Sequence, residues 1–316
     1  MSETVAIVGA GLIGRAWAIA FARAGWSVRL WDADAAVPAR TLATIEPLLA
    51  DMAHHGLLDG QDVPAVMARI APATDLGEAL AGVAWVQENA PERVEVKREL
   101  WARMDPLAPR EAILASSTSA IVPSRFTEHL EGRERCVVTH PLNPPYLIPA
   151  VEVVPAPWTS KASMDRAAGV MRAIGQSPIM MTRELDGFVM NRMQGALLEE
   201  AFRLVADGLC TAEEIDIGLR EGLALRWSFM GPFETIDLNA PGGVRDYVTR
   251  YQGIYETLFP SMQRRVDWAG PVLEKVEKER RGRVAEDALA ERQNWRDRRL
   301  MALAGHKRRA AKDIGD

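Results

Sequence analysis

A strand-like run, Val5-Ala6-Ile7-Val8, opens directly onto Gly9-Ala10-Gly11-Leu12-Ile13-Gly14, a G-x-G-x-x-G turn that leads into a helix-like stretch. No other feature narrows the fold so far, because each glycine answers a separate demand of one architecture. Gly9 lets the chain leave the strand sharply, Gly11 lets backbone approach a pyrophosphate, and Gly14 lets helix and strand pack closely. The first residues of the helix, Leu12 and Ile13, offer unpaired N–H groups and a partial positive charge to phosphate. The next strand-like run ends at Asp32, at the roughly 20-residue spacing where an acid meets the ribose hydroxyls of a dinucleotide. That carboxylate would repel a 2′-phosphate, which favours NAD over NADP. Asp34 is a rival for the position, and a turn or helix cap is the plain alternative for Asp32.

Short apolar runs alternate with helix-like stretches through the first half of the chain. Strands are expected at 5–8, 27–31, 83–87, 112–115, 135–139, 151–154 and near 178–181. Helices are expected at 12–25, 36–54, 63–70, 94–104 and 160–174. This order predicts a parallel sheet wound by right-handed crossovers. After Asp186-Gly187 the pattern turns helical, over 188–207, 212–221, 232–240 and 244–255, with long polar-faced helices from 266 to about 304. The expected fold is therefore α/β, an N-terminal Rossmann-type doubly wound sheet over residues 1–185 followed by an all-helical domain over 186–316. The basic tail (Arg296, Arg298, Arg299, Lys307, Arg308, Arg309) reads as a solvated helix face, with oligomer contacts or attraction of an anionic ligand as the other reading.

Composition removes several function classes. Of 316 residues, Lys and Arg number 38 against 43 Asp and Glu, a net charge of −5, so no overall basic field exists to hold nucleic acid or an anionic membrane. The two cysteines, Cys136 and Cys210, make no disulfide framework and no metal-ligand spacing, which fits a reducing compartment and no metal. The start of the chain lacks the basic and apolar regions of a signal peptide. Arg15 and Arg23 cut the longest uncharged stretches well short of the roughly 20 residues that span a bilayer. A cytoplasmic protein acting on a small molecule is expected.

The candidate chemistry sits in four segments. One strand runs into Ser116-Ser117-Thr118-Ser119, and another into His140-Pro141-Leu142-Asn143-Pro144-Pro145-Tyr146. A third contains Glu152, and Asp186-Gly187-Phe188-Val189-Met190-Asn191-Arg192 opens the helical half. Ligands bind at the carboxyl ends of strands in open α/β sheets, so Ser119 and His140 are delivered to one edge. Oxidising a secondary alcohol requires a base for the hydroxyl proton while hydride leaves carbon. Histidine suits that task, with a carboxylate such as Glu152 holding its other nitrogen. Ser119 and Asn191 can donate hydrogen bonds to the substrate oxygen. Taken alone, His140 also reads as a packing or capping residue, Glu152 as a surface residue on an edge strand, and the serines as turn residues.

These motifs, with Gln87-Glu88-Asn89-Ala90-Pro91-Glu92 leading to Lys97, Gly175-Gln176-Ser177-Pro178 and Gly231-Pro232-Phe233-Glu234-Thr235, resemble the L-3-hydroxyacyl-CoA dehydrogenase superfamily. Within it the chain is most similar to the lambda-crystallin / L-gulonate 3-dehydrogenase branch, over residues 4–260. The resemblance implies His140 as base paired with Glu152, Ser119 on the substrate hydroxyl, and Asn191 completing the oxygen contacts from the second domain. It implies Glu92 and Lys97 on the nicotinamide-ribose side of NAD, Asn143 orienting histidine or nicotinamide, and a helical domain used for homodimerisation.

Departures bear on the substrate. Acyl-CoA enzymes have Ser-Asn-Thr-Ser where this chain has Ser116-Ser117-Thr118-Ser119, and aromatics where it has Pro141-Leu142. Leu225-Arg226-Trp227 replaces small or apolar residues, and Arg226 would match a free carboxylate rather than a thioester. Pairing of Arg226 with Glu221 or Glu234 is the alternative. The expected reaction is NAD-dependent oxidation of a small L-3-hydroxy acid resembling L-gulonate. Two other enzymes remain open, a 3-hydroxyacyl-CoA dehydrogenase and a carnitine-type 3-dehydrogenase in which Trp227 faces a quaternary ammonium. A crystallin-like structural protein without turnover is the non-enzymatic alternative.

Overall fold

The structure, a computed structural model, describes residues 3–315; Met1, Ser2 and Asp316, at the outer ends of the two expected domains, lie outside the described residues. The chain forms two compact units. One runs up to Met190 and takes in Asp297–His306; the other is Asn191–Arg296 with the residues from Lys307 onward.

The first unit is built on one eight-stranded sheet. In chain order its strands are β1 (Thr4–Val8), β2 (Ser27–Trp31), β3 (Ile70–Pro72), β4 (Trp85–Glu88), β5 (Ile113–Ser116), β6 (Cys136–Pro141), β7 (Ala150–Pro155) and β8 (Ser177–Met180). They lie in the order β3-β2-β1-β4-β5-β6-β7-β8. Successive side chains of a strand face opposite sides, and both sides are covered. Val5 and Ile7 join a cluster with Trp17, Phe21 and Trp85, whereas Ala6 and Val8 join another with Trp101, Phe126 and Phe188. Full burial of each such large side chain contributes roughly 1.5–3 kcal/mol. A sheet apolar on both faces needs helices on both, which is the doubly wound arrangement expected from sequence.

Helix α1 (Leu12–Arg23) packs on the first face and is buried almost all round from Ala16 to Arg23. Then come α2 (Val37–His54), α3 (Val63–Met67), α4 (Leu76–Leu80), α5 (Val94–Leu107), α6 (Ser124–Thr127) and α7 (Lys161–Ala173). Asp62, Asp75 and Ser160 cap α3, α4 and α7 by accepting a backbone N–H in the first turn.

Two local expectations are corrected. The helix expected over 63–70 stops at Met67, and Ile70–Pro72 forms edge strand β3, where a proline costs no ladder hydrogen bond. The sheet is also not parallel throughout, because β7 runs antiparallel to β6. The intervening residues 142–149 are too few for the dozen or more that a parallel crossover needs, so the chain returns beside itself.

The second unit is helical: α8 (Met190–Ala206), α9 (Ala212–Ile217), a π-type turn at Gly218–Leu223, α10 (Ala224–Trp227), α11 (Pro232–Leu238), α12 (Gly243–Met262), α13 (Pro271–Arg283) and α14 (Leu289–Ile314). Thr211 and Glu214 form a reciprocal capping box at the start of α9. Residues 297–306 of α14 belong to the first unit. There Met301 is fully buried in the α1-side cluster and Arg298 pairs with Asp51 at 3.0 Å. The basic tail is thus not wholly a solvated face. No helix among the described residues is long and apolar enough to cross a membrane.

Candidate active site

The glycine turn has the shape its sequence demands. Gly9 has φ +89°, and a Cβ there would lie 2.9 Å from the backbone of Asn89; a Cβ on Gly14 would lie 2.0 Å from Gly9 O. Gly11 is different, since a Cβ at that position would meet nothing within 4 Å. Beside it lies a cleft of ≈ 470 Å³ lined by Gly9, Gly11, Asp32, Asn89 and Ala90 among others. Asp32 is held by two backbone donors, Ala10 N–H to Oδ2 (2.9 Å) and Asp34 N–H to Oδ1 (3.0 Å). Each oxygen keeps a further lone pair for a ribose hydroxyl. Asp34 is exposed and engaged elsewhere, with Arg40 at 3.0 Å. A cleft faced by an empty glycine side and an acid at the strand end fits an adenosine dinucleotide.

At the far side of β4 the carboxylates are organised in layers. Glu88 and Lys97 are both buried, and Lys97 Nζ donates to Glu88 at 2.9 and 3.1 Å. Glu88 also accepts from Ser116 Oγ (2.6 Å), Trp101 Nε1 (3.1 Å) and Ala90 N–H (2.6 Å). So many donors around one buried pair answer the cost of removing both charges from water. Lys97 further lies 3.7 Å from Glu92. Glu92 accepts from the Thr118 hydroxyl and from the N–H groups of Ser119 (2.9 Å) and Ala120 (3.0 Å). Burial pushes the Glu92 carboxyl up, but the Thr118 hydroxyl, the Lys97 charge and the two N–H groups outweigh it and hold it below its ordinary value. Glu92 and Lys97 therefore shape the turn that carries Ser119.

A second buried network explains Ser117. Its hydroxyl accepts from Trp17 Nε1 (2.9 Å) and Gln87 Nε2 (2.7 Å) and donates to Asn89 Oδ1 (2.7 Å). Gln87 Oε1 in turn accepts from Trp85 Nε1 and from Thr139, the neighbour of His140. A small hydroxyl meets all three partners at once.

His140 lies inside β6 rather than after it. The antiparallel return of β7 sets Glu152 directly opposite, and His140 Nδ1 meets Glu152 Oε2 at 2.7 Å. Glu152 is not an exposed edge residue, for it has 0% exposure and β8 covers the strand's other side. Its second oxygen accepts from Val189 N–H (2.5 Å) and Met190 N–H (2.9 Å). Burial drives the Glu152 carboxyl up, yet the His140 hydrogen bond and the two N–H groups prevail and hold it below its ordinary value of 4.5. The turn that aims those N–H groups is strained, with Gly187 at φ +77° and Phe188 at φ +50°. Phe188 is fully buried, its ring 5.5 Å from that of His140. A carboxylate accepts only, so Nδ1 carries the proton and Nε2 is left to bind another. Asn143 follows in the same loop, its Oδ1 buried without a partner, which suits an incoming amide donor.

The second unit carries the other two expected residues. Asn191 is the second residue of α8, and Arg226 lies in α10. Among the described residues Arg226 forms no ion pair; Glu221 pairs instead with Arg220 at 2.6 Å. Tyr247 of α12 lies near enough to feel the Arg226 charge, and its hydroxyl sits 2.8 Å from that of Tyr255. The sequence motif that includes Gln87 and Glu88 gave neither residue a role. The available signal was a polar pair at the end of the otherwise apolar strand β4, whose residues are all buried.

Comparisons with known proteins bear on the fold and the family. The family description "3-hydroxyacyl-CoA dehydrogenase, NAD binding domain" matches residues 4–185, and "3-hydroxyacyl-CoA dehydrogenase, C-terminal domain" matches residues 187–286. Lambda-crystallin of Oryctolagus cuniculus is 39% identical over 307 residues, 96% of either chain. An L-carnitine dehydrogenase of Streptomyces griseus is 44% identical over 237 residues, 74% of this chain and 69% of the relative. Among solved structures, a 5-formyl-3-hydroxy-2-methylpyridine 4-carboxylic acid 5-dehydrogenase, described as an NAD⁺-dependent dismutase, superposes with a TM-score of 0.81 at 27% identity, covering 96% of this chain and 97% of its own.

Proposed function

Because this chain belongs to the 3-hydroxyacyl-CoA dehydrogenase family of NAD-dependent oxidoreductases, we propose that it oxidises a small, free L-3-hydroxy acid to the 3-oxo acid, with L-gulonate as the representative substrate. The observation that carries the chemistry is the His140–Glu152 pair across β6 and β7. Bound NAD supplies the hydride acceptor. His140 takes the hydroxyl proton on Nε2 as the C–H bond gives up hydride, and the imidazolium that results is stabilised by the fixed charge of Glu152. Ser119 and Asn191 hold the substrate oxygen, and in the reverse direction their donors polarise the carbonyl. Asp32 binds the adenosine ribose, Gly9, Gly11, Leu12, Ile13 and Gly14 the pyrophosphate, and Asn143 the nicotinamide amide. Glu92 and Lys97 hold the Ser119 turn against the nicotinamide-ribose side.

The choice of a free acid rests on Arg226, a guanidinium without a carboxylate of its own. An L-carnitine-type substrate is the second reading, favoured by the exposed rings of Trp227, Phe229 and Phe233 beside it in sequence and by the 44% identity to an L-carnitine dehydrogenase. Residues 1–185 are assigned the cofactor and residues 186–316 substrate selection and homodimerisation, in a cytoplasmic enzyme. Initial rates of NADH formation from L-gulonate, 3-hydroxybutyrate, L-carnitine and 3-hydroxybutyryl-CoA test the reading. The free hydroxy acids are expected to lead in kcat/KM, and a lead by the CoA thioester overturns the free-acid assignment.

A further inference from the structure

The cofactor-binding unit contains a partly buried arginine, Arg15, whose guanidinium no carboxylate among the described residues answers. Arg15 lies in the first turn of α1, with its backbone N–H on Gly11 O at 2.8 Å. Its Nε is buried with no hydrogen-bond partner, and no ion pair reaches its guanidinium among the described residues. Arg135 also leaves its Nε without a partner, but its guanidinium is answered by Asp105 at 2.7 Å, and Arg23 donates to Tyr146 O at 3.0 Å. Leaving a buried donor of a charged group without an acceptor is costly, and such a group in a native fold calls for an explanation.

Helix geometry indicates where the side chain goes. Residues i and i+4 share a face, and helical side chains lean toward the N-terminus. Arg15 is therefore carried back over the turn at Gly11 and Leu12. There the protein keeps space open, since nothing would touch a side chain at Gly11. The first turn of α1 contains no acid that would claim the guanidinium. Arg103, at the rim of the neighbouring cleft, is exposed. An open glycine face, a helix N-terminus and an unmatched planar cation together suit a ligand with several anionic oxygens.

We propose that Arg15 is a diphosphate-binding residue, adding a charged arm to the backbone N–H groups of the glycine turn. The arm gives this chain a contact that a small residue after the third glycine would not provide. It also makes cofactor affinity depend on a side chain rather than on the turn alone.

The test is NADH binding by fluorescence titration in the wild type, Arg15→Met and Arg15→Lys, with ADP and adenosine as competitors. Arg15→Met is expected to weaken NADH and ADP about 10- to 100-fold, as loss of charge-assisted hydrogen bonds does, and to leave adenosine unchanged. Arg15→Lys is expected to recover part of the loss. Melting of the ligand-free Arg15→Met protein is expected to be no lower than wild type, because the orphaned donor has gone. Unchanged NADH affinity with a raised KM for the hydroxy acid would overturn the proposal and assign the arginine to the substrate carboxylate. Equal losses for ADP and adenosine would also overturn it, by tracing the effect to a distorted turn.

Discussion

The two compact units differ in how completely they bury their apolar side chains. In the first, the tryptophans at 17, 85 and 101 are fully buried, and the charged groups Glu88, Lys97, Arg135 and Glu152 have partners within hydrogen-bond distance. The second leaves Phe229 72%, Phe233 80% and Leu238 68% exposed, and its longest element outside α14, the twenty-residue helix α12, buries no residue at all. Along α12, Val244, Val248, Tyr251, Tyr255, Leu258 and Met262 recur at the spacing of one helical face. Rigid acid–base chemistry needs side chains locked by their surroundings, and the first unit supplies that. A contiguous exposed apolar stripe is the kind of surface that association covers, and it is where the proposed homodimer would form. On the proposed reading, the first unit holds the proton chemistry, and the second would receive another copy of the chain.

The largest effect expected is at His140. If the first unit alone carries the proton transfer, His140→Gln lowers kcat by about 10²–10⁴-fold while NADH affinity, read by fluorescence, stays at the wild-type value. Turnover retained within a few-fold would break the contrast at its root. Next in size is Leu258→Glu on α12. Placing a charge in a covered apolar contact costs roughly 2–4 kcal/mol, so sedimentation velocity should show a wild-type dimer and a monomeric variant whose NADH binding is intact. A wild type that sediments as a monomer would remove the association half of the comparison.

The smallest effect concerns Glu152 and pH. Its native pKa is depressed, so the stability it contributes is fully present above the ordinary value of 4.5 and disappears as pH falls through the lower native value. Glu152→Gln should therefore melt below wild type by about 1–2 kcal/mol near neutrality, and the two curves should converge as pH drops below 4.5. Parallel curves across that window would mean that the carboxylate is not the group held by His140, Val189 and Met190.

Much of the first unit was legible because its demands are local. Gly9 and Gly14 are required by the turn, and Asp32 by a fixed distance along the chain. The antiparallel return of β7 was not, though the short stretch 142–149 contained the information, and with it came the cross-strand placement of Glu152. Glu88 received no role because nothing in a linear reading separates a buried acid from a solvated one; its status depends on Lys97 and Trp101 of α5 and Ser116 of β5. Met301 was hidden for the opposite reason, as an apolar residue set among charges whose helix looked solvated on composition. In the second unit, helices could be read from periodicity. The exposure of the α12 stripe could not, because an amphipathic pattern says which face is apolar and not what covers it.

The placement of residues 297–306 within the first unit has a consequence for biosynthesis. A ribosome releases the glycine turn, the sheet and its flanking helices long before Met301, yet the hydrophobic cluster around α1 includes that methionine. The amino-terminal half therefore emerges with its interior incomplete until α14, made well after the sheet, supplies Met301. Domains commonly mature in order as they leave the ribosome; here the order is interrupted, and the sheet waits on a helix made after the intervening helical unit.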